Sequence, residues 1–314
     1  MIGCLVLAYN EEKYIEEILS EISETFDKII VVNDASTDKT KDKIKNLDLD
    51  NVSLISNRKN LGAGRSLEIG VQNFLKSDLD YLVKIDGDKQ FKIEDINKLV
   101  ELSSKDYDFI KCDRFWEKGI EGKIPTIRYI GNALATLLIK ISTGNWKIND
   151  PLNGLFLFSK KSLKDFSLPK IFRRYGYPFY INIFMNKKIL FDGLVNGQIQ
   201  NTIRYSDEKS RLRPSIMFFK LLYYSIVSFG KKIFVKLRYS DLQISALHDT
   251  LFIIFSFFTL YGGTKLVLIN LDYLSGSKAS WLFLTLLMLF ISSFSFYSSQ
   301  AYEKKVYDDK FTLL

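Results

Sequence analysis

The chain has 314 residues, 47% of them hydrophobic, and a formal net charge of +8 at pH 7. That apolar share supplies a core for one large domain or two ordinary ones and excludes global disorder. Two cysteines and one histidine, His248, exclude a disulfide framework and a His-rich zinc site, so any bound metal is expected to be a hard cation held by oxygens.

The N-terminus lacks a positively charged leader and its apolar run is too short for a signal peptide, so Ile2–Ala8 reads as a first buried strand. Tyr14, Ile15, Ile18, Leu19 and Ile22 then recur at helical spacing. Lys28–Asn33 is β-branched and reads as a second strand, and Ser36 or Thr37 is expected to cap a helix running through Ile44 and Leu47. Val52–Ser56 gives a third strand and residues 81–85 a fourth. Strands separated by helices imply right-handed crossovers, a mostly parallel sheet, and ligands at the carboxyl ends of the strands. Asn10, Asp34 and Asp86 each follow such a strand and are expected on one edge of it. Cys4 and Cys112 lie in apolar strand-like runs, which suits buried reduced thiols and a cytosolic setting.

From about Pro214 the composition changes. IMFFKLLYYSIVSFGKKIFVKLRY interleaves Lys220, Lys231, Lys232, Lys236 and Arg238 with aromatic and aliphatic residues, a pattern for helices lying in a membrane interface. Residues 251–271 carry one charge, Lys265, and residues 281–297 none, each near the roughly 20 residues a spanning helix needs. DYLSGSKAS between them has turn chemistry. A pair of buried core helices is the alternative, but such helices show a polar face, and residues 281–297 offer only serines and a threonine. Basic residues before the first span, and Lys304 and Lys305 after the second, put both ends in the cytoplasm.

Four polar stretches sit at strand ends or between strand and helix: AYNEE (8–12), NDASTD (33–38), NLGAGRS (60–66) and DGDKQ (86–90). In this order and spacing the sequence resembles family 2 of the inverting nucleotide-sugar glycosyltransferases, and within it the polyprenyl-phosphate branch, over residues 1 to about 214. The resemblance implies an α/β, A-type glycosyltransferase fold, Rossmann-like with a mostly parallel sheet, followed by interfacial amphipathic helices and a two-helix transmembrane hairpin. It implies a nucleotide-sugar donor contacted by Ala8, Tyr9, Asn10, Glu11, Asp34, Gly62, Arg65 and Asp86. Asp34 would accept hydrogen bonds from the base or ribose, helix capping with Ser36 being the alternative. The glycines of NLGAGRS permit close backbone approach, and Arg65 adds positive charge near a pyrophosphate. Leu7 stands where the family often has proline. Asp86 and Asp88, with Gln90 completing the loop, would hold Mg²⁺ or Mn²⁺ against the developing charge of the leaving diphosphate.

A second block, STGNWKINDPLNGLFLFS (142–159), matches the family's DP-x-S/N-G segment, and Asp150 fits the aspartate near the acceptor. Arg128 and Asn132 upstream, and Arg114 after DFIKC, resemble residues facing the acceptor phosphate, with surface salt bridging the alternative for both arginines. A third block, RYSDEKSRLRP (204–214), offers Ser210 and Arg211 to phosphates, with Arg204 and Arg213 as further basic residues. Lys209 stands there for the family's acid, and Arg211 for its lysine.

The implied reaction is metal-dependent, inverting transfer of a hexose from a UDP- or GDP-sugar to a polyprenyl phosphate at the cytoplasmic membrane face. Asp86, Asp88, Asp150, Arg114 and Arg128 are its candidate catalytic residues. Because the acceptor is already an anion, Asp150 is expected to orient it or to help hold the metal site rather than to remove a proton. The implied organisation is a cytoplasmic catalytic domain (1–213), interface helices (214–246), two transmembrane helices (247–300) and a cytoplasmic tail (301–314), an integral multi-pass protein. Nucleic acid is not an expected partner, since the basic residues gather beside the aromatic helices. A membrane glycosyltransferase acting on a glycan or a non-phosphorylated lipid, and a non-catalytic nucleotide-sugar-binding protein, are the alternatives. The sugar, the base and any homo-oligomer formed through hairpin packing stay open.

Overall fold

A computed structural model of the chain describes residues 1–115, 120–121, 126–204, 214–239 and 242–314. Contacts divide it into two units, residues 1–226 with 309–314, and residues 227–308. The first unit is built on an eight-stranded sheet. Its leading half consists of β1 (Ile2–Ala8), β2 (Lys28–Asn33), β3 (Val52–Ser56) and β4 (Tyr81–Asp86), separated by α1 (Ile15–Ile22), α2 (Thr40–Asn46) and α3 (Ala63–Leu75). The apolar runs predict β1 and β2 residue for residue, because strands covered on both faces lack polar alternation, and the edge strand β3 also matches its expected bounds. Helix α1 buries Ile15, Ile18, Leu19 and Ile22, the i, i+3, i+4, i+7 set. Helix α3 lies so close to β1 that a Cβ at Gly70 would come 2.3 Å from Leu5 Cδ1.

Next come α4 (Ile93–Leu102), β5 (Phe109–Asp113), β6 (Ile120–Glu121), α5 (Thr126–Thr143), β7 (Phe156–Ser159), α6 (Tyr177–Asp192), β8 (Asn196–Gln200) and β9 (Ile203–Arg204). After them stand α7 (Pro214–Lys236), α8 (Gln243–Asn270), α9 (Lys278–Lys310) and β10 (Phe311–Leu313). The sheet order is β10-β8-β5-β7-β4-β1-β2-β3, parallel throughout except for β7, which runs antiparallel to both β4 and β5. Strands β6 and β9 pair separately. Residues 311–313, in the stretch expected to be a tail, form the edge strand β10 on β8. The register sets Leu7 beside Asp86 and Ala8 beside Asn33, so β4, β1 and β2 end level. Asn10, Asp34 and Asp86 thus leave neighbouring parallel strands on one carboxyl edge. Cys4 and Cys112 are buried free thiols.

In the second unit, α8 and α9 are each long and apolar enough to cross a membrane. Phe257, Leu260, Phe283, Phe290 and Phe294 are exposed along them. Facing surfaces carry small and polar residues: a Cβ at Gly262 would lie 2.5 Å from Thr285 Oγ1, and the Ser256 and Ser292 hydroxyls are 2.7 Å apart. The basic residues of α7 are not all outward. Lys236 is fully buried, with its Nζ 2.9 Å from Ser245 Oγ and 2.5 Å from Asp249 Oδ2, and it also pairs with Glu303. Lys232 lies 3.1 Å from Glu303. Two ammoniums are tolerated inside because α8 and α9 each bring a carboxylate.

Candidate functional site

The loops after β1 and β2 are laced together. Asn10 and Ala35 take left-handed backbone angles (φ 60° and 58°). The Thr37 N–H donates to Asn10 Oδ1 at 2.8 Å, Asn10 N–H to Ser36 Oγ at 3.0 Å, and Glu11 N–H to Thr40 Oγ1 at 2.8 Å. Neither Ser36 nor Thr37 caps the helix. It starts at Thr40, whose N–H donates to Asp38 Oδ1 at 3.0 Å, because Ser36 is drawn instead to Asn33 Oδ1 and Asn10.

Asp34 is buried, and its carboxylate turns to the next loop. It accepts from Leu61 N–H at 2.8 Å, Gly62 N–H at 2.7 Å and Asn57 Nδ2 at 2.8 Å. Asp34 therefore ties β2 to the entrance of α3. Gly62 has φ 93°, and a Cβ there would lie 2.7 Å from Arg174 Cα, while one at Gly64 would lie 2.2 Å from Phe172 O. These glycines admit the chain's own 172–174 backbone, and Arg65 N–H donates to Arg173 O at 2.8 Å. The Arg65 guanidinium pairs with Glu68, a buried carboxylate that also accepts Leu168 N–H at 2.9 Å. Arg174 reaches Asn60 Oδ1 at 3.1 Å, and Arg173 Nε is buried with no hydrogen-bond partner among the described residues. Neither arginine stands in a motif, and two consecutive arginines in a loop carry no periodic signal that would single them out.

Asp86 ends β4. Lys84, two residues earlier on the same face, is fully buried, with its Nζ 2.7 Å from Asp86 Oδ1 and 2.6 Å from Tyr177 Oη. Burial, reinforced by the charges of Asp86 and Asp88, pushes the Tyr177 phenol well above its ordinary range, so it keeps its proton. A Cβ at Gly154 would lie 2.9 Å from Asp86 Oδ2 and 3.2 Å from Lys84 Nζ, which is why this position of NDPLNG has no side chain. Asp88 Oδ1 accepts Gln90 N–H at 3.2 Å. Among the described residues no three His, Cys, Asp or Glu side chains gather as a metal cage. Two carboxylates beside one amide fit a hard divalent cation that draws its other ligands from phosphate and water.

Asp150, with φ 43°, is buried against Arg114. Arg114 Nε lies 3.0 Å from Asp150 Oδ2, Nη2 donates to Oδ1 at 3.0 Å, and the Arg114 N–H to Oδ2 at 3.1 Å. Asn153 Nδ2 approaches Oδ2 at 3.3 Å. Lys111, also fully buried, bonds Gln198 Oε1 at 3.2 Å, Cys112 O at 3.0 Å and the Asn149 carbonyl, fixing the approach to Asp150. Burial pulls the Lys111 ammonium below its ordinary range. Beside these residues opens a cleft of about 520 Å³ lined by Asp113, Tyr129, Asn132, Thr136, Asn149 and Asp150. Among the described residues Asn132 Oδ1 is buried without a hydrogen-bond partner, and Arg128 lies one turn earlier on α5 in an exposed stretch. Residues 150–154 thus touch both clusters, Asp150 on Arg114 and Gly154 on Asp86. Ser210 and Arg211, with Lys209 and Arg213 and the Arg204 side chain, lie outside the described residues.

A UDP-N-acetylglucosamine–dolichyl-phosphate N-acetylglucosaminyltransferase of Methanococcus voltae is 26% identical over 191 residues, covering 56% of this chain and 76% of that protein. An uncharacterized protein of Methanocaldococcus jannaschii is 30% identical, over 51% of this chain and 65% of its own length. A dolichyl-phosphate beta-glucosyltransferase of Trichomonas vaginalis is 26% identical, over 52% of this chain and 54% of its own. The sequence profile of Glycosyl transferase family 2 matches residues 4–167, just over half of the chain. With that match across the acid-bearing carboxyl edge, the chain belongs to glycosyl transferase family 2.

Proposed function

We propose that the protein passes a hexose from a UDP- or GDP-activated donor to a polyprenyl phosphate at the cytoplasmic face of a membrane, with inversion. The observation that supports this reading is the 150–154 segment, in which Asp150 pairs with Arg114 and Gly154 closely approaches Asp86. One cluster suits a leaving diphosphate and the other an incoming phosphate. Two of the similar proteins are named for transfer to dolichyl phosphate, which supports a lipid-phosphate acceptor. The apolar surface of α8 and α9 suits a bilayer.

An oxygen of the acceptor phosphate attacks the anomeric carbon from the face opposite the donor's diphosphate. The anomeric C–O bond breaks and its electron pair leaves on the nucleoside diphosphate. No side chain has to remove a proton, since the acceptor is already an anion. Asp86, Asp88 and Gln90 would hold Mg²⁺ or Mn²⁺, which as a Lewis acid supplies charge neutralisation for the leaving group. Arg128 and Asn132 bind the acceptor phosphate, joined by Ser210 and Arg211. Arg114 adds charge at the cleft, and Asp150 aims it, an electrostatic and positioning catalysis. Ala8, Tyr9, Asn10 and Glu11 contact the nucleoside. Asp34 serves it by holding Leu61 and Gly62 at the rim.

The test is a panel of labelled UDP- and GDP-sugars with the purified full chain and undecaprenyl or dolichyl phosphate, in Mg²⁺, Mn²⁺ or EDTA. The expected result is labelled lipid in metal, none in EDTA, and none with Asp88→Ala of unchanged thermal unfolding. Labelled polymer in place of labelled lipid would assign the glycan acceptor, and donor binding without any transfer the non-catalytic reading.

A further inference from the structure

A lysine facing the interior of a sheet is expensive to dehydrate, and nothing in the motif pattern around DGDKQ requires one at position 84. Lys84 is held there by Asp86 and Tyr177, which take two of the three N–H donors of its ammonium. The same contact commits Asp86 Oδ1. The other lysine of the turn, Lys89, is directed away, to Glu21 at 2.8 Å and to Glu17. Among the described residues, the acid pair thus has a fixed positive charge built against Asp86. Without Lys84, Asp86 would add its full charge to the attraction for a divalent cation. With Lys84, that charge is already answered until a diphosphate adds its own.

We propose that Lys84 is a resident counter-ion of the acid pair, a positioning residue that holds Asp86 by one oxygen and keeps the pair from gathering a divalent cation until a nucleoside diphosphate arrives. The inference rests on the reading of Asp86 and Asp88 as cation-holding acids. Its consequence is an order of binding: the cation enters with the nucleotide, and free cation alone is held weakly. Gly154 belongs to the same device, since any side chain there would press on Asp86 Oδ2 and Lys84 Nζ together.

The experiment is Mn²⁺ binding followed by electron paramagnetic resonance on the purified full chain, alone and with UDP or GDP, for the wild type, Lys84→Met, Lys84→Gln and Asp88→Asn. The wild type is expected to bind Mn²⁺ at least tenfold more tightly with its nucleotide than alone. Lys84→Met and Lys84→Gln are each expected to bind Mn²⁺ alone at least tenfold more tightly than the wild type, which flattens the nucleotide dependence. The direction discriminates, because damage to a merely structural lysine would weaken the site. Two variants are used so that misfolding of one, seen as loss of cooperative thermal unfolding, leaves the other to decide. Folded variants that bind free Mn²⁺ no better than the wild type overturn the role of Lys84 and leave the cation site standing. If the wild type binds no Mn²⁺ with either nucleotide, or Asp88→Asn binds it as well as the wild type, the cation site itself falls and the role of Lys84 with it.

Discussion

Arg114 closes on Asp150 through both carboxylate oxygens, Nε 3.0 Å from Oδ2 and Nη2 3.0 Å from Oδ1. The side chain of Asp150 has no exposed surface, and that of Arg114 keeps 14% of its own. Either residue by itself would be a charge stranded in a low-dielectric corner, so the pair acts as one group, and it is Asp150 that stands in the lining of the cleft.

Asp150→Asn isolates that pairing, because asparagine tolerates the left-handed backbone at this position. Removing one member of a buried pair is expected to cost about 3 kcal/mol. In a double-mutant cycle with Arg114→Met the coupling should reach about 1–3 kcal/mol, read by guanidinium unfolding of the full chain in detergent. Additive effects would mean that the two side chains are not partners in solution. Arg114→Lys should lose most of the coupling as well, since an ammonium does not reproduce the planar fork.

Asp34 leads to a prediction about the loop it organises. Asp34→Asn turns an amide N–H₂ toward donors that now share two carboxylate oxygens, the N–H groups of Leu61 and Gly62 and the Asn57 amide. Losing one charge-assisted bond is worth about 1.5–3 kcal/mol. Faster hydrogen exchange at residues 60–64 is expected, with KM for the donor rising about tenfold and kcat changing less. Native exchange in that loop would remove Asp34 from this role.

How far these contacts could be anticipated depends on their range. β1 and β2 carry apolar runs and β3 a shorter one broken by Ser53, and Asp86 is found because a carboxylate directly after such a run stands at a carboxyl edge. β10 has three residues, too few for any period, and β7 announces itself as a strand but not as an antiparallel one inserted between β4 and β5. Lys84 and Lys111 look like polar interruptions of strands, since their partners Tyr177 and Gln198 stand far along the chain. The glycines of NLGAGRS signal close approach without saying by what. What approaches them, the backbone of residues 172–174, has no mark in the sequence.

In the helical unit, Lys236→Met should be strongly destabilising while Lys236→Met with Asp249→Leu is not. The single change leaves the carboxylates of Asp249 and Glu303 with, among the described residues, Lys232 alone to balance them, at about 3–5 kcal/mol for a broken buried pair. The double change removes one charge of each sign and leaves the Lys232–Glu303 pair intact. Thermal unfolding in detergent should therefore fall for the single variant and recover for the double. Equal losses in both would show that side-chain volume, not charge, decides at this position.

Gly154→Ala tests the junction between the two charged clusters with a single methyl group. The Gly154 backbone is not in the left-handed region, so alanine carries no conformational penalty there, and a loss relative to the control reports the contact. The added Cβ would meet Asp86 Oδ2 at 2.9 Å and Lys84 Nζ at 3.2 Å. Relieving the clash has to move the carboxylate or shift the 150–154 segment that carries Asp150. Overpacking of this kind costs about 1–3 kcal/mol in stability. Misplacing reacting partners by about 1 Å costs on the order of 10²-fold in rate, so kcat should fall between about tenfold and a hundredfold with the fold retained. Gly131→Ala is the control: nothing lies within 4 Å of its added Cβ, and it sits inside α5, where alanine should raise stability by about 0.5–1 kcal/mol. A native kcat in Gly154→Ala would mean that the approach of this segment to Asp86 packs the fold and has no bearing on transfer.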